Sequence, residues 1–451
     1  MNYIKTAVLI LFFSCKGDLD IKPDQGLLIP TKLEDMQALL DNVEMNRAPG
    51  LHMIAGEEYA ITTEGVTSLR TAPERNSYLW ADDVYEGSVP SDWRILYEQV
   101  FYANVVLDGL NTIEVTEENR SVWNQLKGSA LFFRSLAFYQ LIVEYAMPYE
   151  KGSADKVPGI PLKLSSDINE KVERVSIRDC FKKILSDLDE AGPLLETVQS
   201  VYLTRPSRHA VYALLARIAL YMQEYGTAEK YADRCITLSP GLMDYNGLSR
   251  TSSRPISFAQ AGEEVIFPQF MLTYSFATSS RAGISEDLLS VYETGDLRRI
   301  IFFRDRGNGV FTFKGNYSGT SSMFLGTTTA EMYLIRSECR ARLDDIEGAL
   351  ADVNHLRKMR WDSNVPYQDV SMEDREEVIR FILLERRKEL AMRGLRWSDL
   401  KRLNRDSRFE TTLERTAYDR THILAPQSDR YAFPIPQIEV DINNLAQNKR
   451  D

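Results

Sequence analysis

Histidine and cysteine are scarce, with four of each in 451 residues. His52, His209, His355 and His422 stand far apart, with no HExxH and no partner cysteine. Cys15, Cys180, Cys235 and Cys339 form no CxxC pair. A zinc site needs such ligands at close spacing, so none is expected. The last three cysteines fall inside apolar helical patterns, where a free thiol acts as a small hydrophobe. Positive charge is also short. The net charge is −11, and Lys5 is the only charge among the first 14 residues, leaving −12 beyond them. A nucleic-acid partner would want a basic face, so none is expected. No stretch approaches 18 consecutive apolar residues, which excludes a membrane-spanning helix.

Catalytic motifs are missing as well. Ser398-Asp399-Leu400-Lys401 matches S-x-x-K, but no S-D-N or K-T-G follows. Gly307-Asn308-Gly309 lacks the rest of a phosphate loop. Asp18, Asp20 and Asp24 do not fit a calcium loop, because Lys22 and Pro23 interrupt them. Asp82, Asp83 and Glu86 could hold Ca²⁺, but a solvated acidic loop is the commoner fate of such a group. Neither a metal nor a cofactor is expected. A glycosidase needs two placed carboxylates, and only the abundance of Asp and Glu speaks for one.

The N-terminus reads as a targeting segment. Lys5 precedes a short apolar run over 7–13, then Ser14-Cys15. Seven apolar residues cannot cross about 30 Å of hydrocarbon as a helix, and the pattern fits a secretory signal peptide over 1–14. Residues 16–30 (KGDLDIKPDQGLLIP) read as an extended tether.

Helical periodicity dominates the rest. Thr31-Lys32-Leu33-Glu34 is a capping box opening a helix to about 42. Residues 51–87 are mixed and read as loops, with Tyr78, Trp80 and Tyr85 alternating with polar residues. Ser91 is expected to cap a long helix, followed by a second over 123–149 and another over 176–195. Counted as a 34-residue repeat from His209, Tyr212, Leu215, Ala216, Ala228 and Pro240 fall at tetratricopeptide positions 4, 7, 8, 20 and 32. A weaker unit starts at Ala330, with Tyr333 and Ala349 at positions 4 and 20, and with Arg336 and Arg340 as poor repeat residues. Units 121 residues apart do not make a continuous solenoid. Residues 240–326 are rich in Ser, Thr, Gly and aromatics, and predict short strands and long loops.

The most informative stretch is 378–404, VIRFILLERRKELAMRGLRWSDLKRLN. Val378, Ile382, Glu385, Glu389 and Met392 share one helix face; Ile379, Leu383, Arg386, Leu390 and Arg393 share its neighbour. Carboxylates and guanidiniums on apolar stripes are costly unless paired. A structural network of Glu385, Arg386, Glu389, Arg396, Trp397 and Asp399 is therefore expected. The competing use of Glu385 and Glu389 as a catalytic pair fails, because nearby guanidiniums would keep both ionised. Gly394 suits the C-terminal end of this helix.

ERRKELAMRGLRWSDLKR resembles the C-terminal signature of the SusD/RagB family of outer-membrane nutrient-binding lipoproteins, with Met392 to Leu395 departing from its usual E-G-H. Other segments resemble the family in order: the Leu-Phe-Phe-Ser-Cys15 lipobox with acidic residues after it, SDWRILYEQVFYANVVLDGL, LKGSALFFRSLAFYQLIVEY, Gly159-Ile160-Pro161-Leu162, Glu264-Val265-Ile266-Phe267, and a tail with Pro434-Ile435-Pro436 and Gln447-Asn448. The resemblance implies a mainly α fold. Its parts would be a tetratricopeptide-like helical-repeat scaffold, over 31–240 and 241–451, and an irregular loop and short-strand ligand-facing region including 241–326. It implies lipidation of Cys15, an outer-membrane location, a SusC-like TonB-dependent transporter as partner, and no catalysis. The implied ligand is a glycan or oligosaccharide, with peptides in some members. The chain is short for such a family, which suggests trimmed loops around 240–326. A secreted glycan hydrolase and a helical-repeat interaction scaffold are the alternatives. Binding residues do not travel with the scaffold motifs. Loop position alone nominates Tyr78, Trp80, Tyr85, Tyr274 and Phe276, since aromatic faces stack on sugars.

Overall fold

The computed structural model describes residues 30–197 and 202–450. The signal peptide, Cys15 and the tether to residue 29 lie outside the described residues. Nine helices form the frame: α1 (Ser91–Leu110), α2 (Arg120–Tyr145), α3 (Ile177–Leu194), α4 (Arg208–Tyr221), α5 (Tyr225–Leu238), α6 (Thr329–Arg342), α7 (Ile346–Lys358), α8 (Arg375–Glu389) and α9 (Arg396–Leu403). α2 is buried on all sides from Gly128 to Tyr145, which fits its near-absence of charge there. It packs between α1 and α3. Gly128 permits this, because a Cβ there would sit 2.8 Å from Leu195 Cγ. The one guanidinium on the buried stretch, Arg134, donates to Asp187 Oδ2 at 2.9 Å and Asn104 Oδ1 at 2.9 Å.

The two repeat units are α4–α5 and α6–α7. Ala228 and Ala349, both at repeat position 20, are fully buried and let the paired helices approach. The units are stacked directly, α5 against α6. The sequence distance between them is therefore not a spatial one, and the expected break in the array is absent. Arg336 and Arg340 hold this junction. Arg336 donates to Asp233 of α5 at 2.7 Å and to Asp352 of α7 at 2.6 Å, and Arg340 meets Glu229 at 3.5 Å.

The segment between α5 and α6 leaves the array and returns to it. Val265–Phe267 pairs antiparallel with Thr327–Thr328, closing the excursion. Within it, Phe270–Met271 pairs with Arg47–Ala48, and Ala282–Ile284 pairs with Tyr59–Ile61. The Ser/Thr-rich insertion thus packs on the N-terminal loops, and the two together form one irregular face.

Some local readings change. Residues 51–87 hold short helices, Leu51–Ala55, Thr63–Thr67 and Ala72–Tyr78, rather than loops alone. The last has a capping box between Thr71 and Glu74. Lys32, not Thr31, precedes the first helix, and no side chain caps it. Pro90 takes the cap position before α1, and Ser91 is its first residue. α8 stops at Glu389, with Gly394 left-handed (φ +67°) in the turn before α9. A C-terminal hairpin, Leu413–Ala417 with Arg420–Leu424, turns at Tyr418 and Asp419, whose φ values of 53° and 56° make the primed turn that suits strand twist. In the tail, Gln447 brackets Ile435 with two hydrogen bonds of 2.8 Å, and Asn448 donates to Tyr145 O at 2.7 Å.

Candidate functional site

Most of the loop aromatics turn inward. Trp80 is only 2% exposed, and its Nε1 donates to Ala55 O at 2.9 Å. The Tyr78 hydroxyl accepts from Ile61 N at 2.8 Å. Between these two rings lies the Arg415 guanidinium, 4.0 Å from the Tyr78 ring centre and 4.3 Å from that of Trp80. Its N–H groups donate to the carbonyls of Tyr78, Ala55 and Gly56. Burial pushes this guanidinium down to about 10, against the pull of Tyr78 and Glu57. Tyr78 and Trp80 therefore build a core clamp with both rings buried, although Tyr78 also meets the wall of a neighbouring cleft of about 520 Å³ beside Arg415. Large aromatics with a satisfied polar tip commonly end this way. Phe276 is buried too, edge-on to Tyr59 at 5.5 Å.

Tyr274 keeps a surface. Its half-buried ring stacks on Phe276 at 5.6 Å and 7°. Its hydroxyl donates to Asp92 Oδ1 at 2.9 Å, and Asp92 Oδ2 accepts from Leu51 N at 2.8 Å. Burial, helped by Glu144, pushes the Asp92 carboxyl up to about 7. Tyr274 and the largely buried Tyr85 line a cleft of about 370 Å³ with Thr71, Glu86, Ser88 and Ser91. The capping box holds it together. Glu74 Oε2 accepts from Thr71 N at 2.9 Å, while its Oε1 accepts from Ser275 Oγ at 2.7 Å and from Ser275 N. One carboxylate thus fixes residue 275 beside residue 71. The T-x-x-E spacing was the available sequence signal for the cap, but not for the contact with Ser275. A separate, smaller cleft of about 190 Å³ touches the end of the Ser275–Ala277 turn and is lined by Arg254, Thr278, Ser279, Arg306 and Asn316. The acidic group at 82–86 is used internally: Asp83 Oδ1 accepts from Glu86 N at 2.8 Å, Glu86 accepts from Asn76 at 2.9 Å, and Arg430 pairs with Asp82 at 2.8 Å.

The chain end of the fold is held by charge. Glu385 meets Arg298 at 2.7 Å and Lys388 at 2.8 Å, with Arg357 Nε 3.4 Å away. Glu389 meets Arg360 at 2.9 Å and Arg298 at 3.2 Å, and Arg360 also binds Glu264 at 2.9 Å. Arg386 and Arg402 both bond Asp399 at 2.8 Å. Arg396 and Arg387 share Glu57 at 2.6 and 3.2 Å. Trp397 lies against Tyr431 and Phe433, ring centres 4.9 and 5.9 Å apart. Burial alone would raise the Glu385 carboxyl, but Arg298, Lys388 and Arg357 hold it at about 2. Arg360 and Arg298 likewise outweigh burial at Glu389. Two carboxylates kept ionised cannot act as a general acid at neutral pH.

Residues 19–220 match the SusD-like family described as starch-binding associating with outer membrane, and residues 314–449 match the SusD family. The chain belongs to the SusD/RagB family. A SusD-like protein of Formosa agariphila is 21% identical, over 78% of this chain and 79% of that protein. A SusD superfamily structure from Bacteroides thetaiotaomicron superposes with a TM-score of 0.73 at 20% identity, covering 93% of this chain and 100% of that one. A SusD-like carbohydrate binding protein from Bacteroides vulgatus gives 0.68 at 18% identity, covering 92% and 97%. The expected shortening is absent against these two structures, whose lengths this chain spans almost fully. SusD/RagB proteins are non-catalytic binding proteins, and this chain is a binding protein rather than an enzyme.

Proposed function

We propose that the protein captures a glycan or oligosaccharide at the cell surface and passes it to a TonB-dependent outer-membrane transporter of the SusC type. The observation that carries this reading is the Tyr274 cleft in a SusD/RagB scaffold: a fixed, half-exposed aromatic ring with Thr71, Glu86, Ser88 and Ser91 around it. A sugar ring offers an apolar C–H face to the aromatic and hydroxyls to the rim. A lipid on Cys15 would hold the protein to the outer membrane. Among the described residues no helix is long and apolar enough to cross one.

The test is binding of the soluble chain (16–451) to a panel of polysaccharides, oligosaccharides and peptides, beside Tyr274→Ala. Capture of one glycan class without release of new reducing ends, weakened at least tenfold in Tyr274→Ala, is the expected result. Binding that ignores the change at Tyr274 would move the site elsewhere. Binding of peptides alone would replace the ligand class.

A further inference from the structure

The helix that borders the Tyr274 cleft carries a second aromatic surface. Trp93, Tyr97 and Phe101 recur at four-residue spacing on α1, one stripe of its face. Trp93 is buried, set edge-on against Tyr145 at 4.8 Å, with the Tyr97 ring 4.7 Å from it. Tyr97 and Phe101 are half-buried, so part of each ring is bare. Their cleft measures about 490 Å³, within the range of small-molecule sites, roughly 300–1,000 Å³. One wall is the loop from Pro161 to Val172, and the other is the helix Gln437–Asn443.

The cleft is built before any ligand arrives. The Tyr97 hydroxyl donates to Pro161 O at 2.8 Å, which fixes the ring. Asn104 of the same helix donates to Lys163 O and Ser165 O at 3.0 and 3.1 Å. Asp108 accepts from Ser166 N at 2.8 Å, and Lys163 Nζ donates to Glu170 O at 2.8 Å. The wall is therefore tied to the floor. At its rim the side-chain amide of Asn169 and the Lys171 ammonium are not bonded to any other described residue. Lys163 and Lys171 balance Glu170 and Glu439 in charge. An aromatic floor, a rim of amide, ammonium and carboxylate, and no net charge suit a neutral pyranose better than an anionic ligand.

We infer that this cleft is a second saccharide subsite, an inference that rests on the glycan reading above. Tyr97 and Phe101 lie six and ten residues beyond Ser91 of the first cleft, about 9 and 15 Å along the helix axis. A polysaccharide held at both points gains avidity, on the order of 10²–10⁴ over one site when the spacing permits.

The experiment is calorimetry of the soluble chain with maltotriose, cellotriose, laminaritriose and xylotriose, and with their parent polymers. Phe101→Ala tests the floor. Asn169→Ala combined with Lys171→Ala tests the rim at exposed positions, without touching α1. For the sugar that binds, the wild type takes two equivalents of trisaccharide. One equivalent remains in either cleft variant, and one remains in Tyr274→Ala. Affinity for the polymer falls more than tenfold in each. A single equivalent, lost in Tyr274→Ala and unchanged in both cleft variants, overturns the subsite and leaves the glycan reading standing. No saccharide bound by the wild type overturns both.

Discussion

Glu385 offers the sharpest test of how this scaffold is held. Its carboxylate is fully buried and meets Arg298 and Lys388 directly. It lines none of the clefts described above. Replacing it by alanine leaves Arg298 with Asp296 at 2.7 Å and Glu389 at 3.2 Å, and Lys388 with Glu293 at 3.1 Å. Breaking a buried pair by removing one partner costs about 3–5 kcal/mol. The remaining carboxylates place this case near the lower end. The titration argument agrees. A carboxyl held at about 2 instead of 4.5 contributes roughly 3 kcal/mol at neutral pH. Urea unfolding followed by far-UV circular dichroism should show Glu385→Ala losing about 3 kcal/mol with an unchanged slope. Glu385→Gln, which keeps the shape but not the charge, should lose nearly as much. Glu376→Ala, removing an exposed pair with Arg380, should stay within the scatter of surface changes. In buffer without denaturant both Glu385 variants should bind glycan as the wild type does. Full stability with lost binding would refute the structural assignment and give this carboxylate a part in ligand binding.

Four further outcomes follow from the geometry. Trp80→Ala should lose about 3–5 kcal/mol, as a buried large-to-small change that also bares one face of Arg415, and its thermal midpoint should fall well before binding per folded molecule changes. Gly394→Ala should be destabilised by more than 1 kcal/mol in the same urea assay, because φ is +67° and the new Cβ would sit 2.6 Å from Met271 Cε. Burial pushes the Glu58 carboxyl up to about 7 even though it accepts from Met392 N at 2.6 Å. The folded chain therefore holds this proton more tightly than the unfolded one. Its contribution is full below about pH 4.5 and is lost as pH rises through 7. Glu58→Gln mimics the neutral acid and should exceed the wild type in stability at pH 8 but not at pH 4.5; equal stability at pH 8 would contradict it. Cys15→Ser should release the protein from the membrane fraction of its host, and retention there would count against lipid anchoring.

The frame was legible because its signals are periodic and local. The long helices followed from apolar spacing, and the expected strands and loops of 240–326 are there. Registers at helix ends were less legible. Ser91 looked like a cap, but Pro90 already fixes the extended backbone that a cap position needs. Residues 51–87 read as loops because three helices of seven residues or fewer carry too little periodicity to register. The site was half legible for a related reason. Tyr78, Trp80, Tyr85, Tyr274 and Phe276 were nominated by loop position, and a loop residue is free to turn either way. What turned Tyr78 and Trp80 inward is Arg415, more than 330 residues away along the chain, and no local pattern shows such a partner.

The same non-local logic explains residues that looked misplaced. Arg336 and Arg340 are poor tetratricopeptide residues because they answer to Asp233, Glu229 and Asp352 rather than to the repeat. Charge at that junction lets α5 and α6 stack even though 90 residues separate them in sequence. Those residues are then free to fold out against the N-terminal loops. Glu74 does the corresponding work at the far side, capping its own helix with one oxygen and holding Ser275 with the other. A scaffold closed by paired charges and a loop face pinned at single carboxylates can vary its loops without rebuilding its core. That arrangement suits a family whose fold persists at about 20% identity.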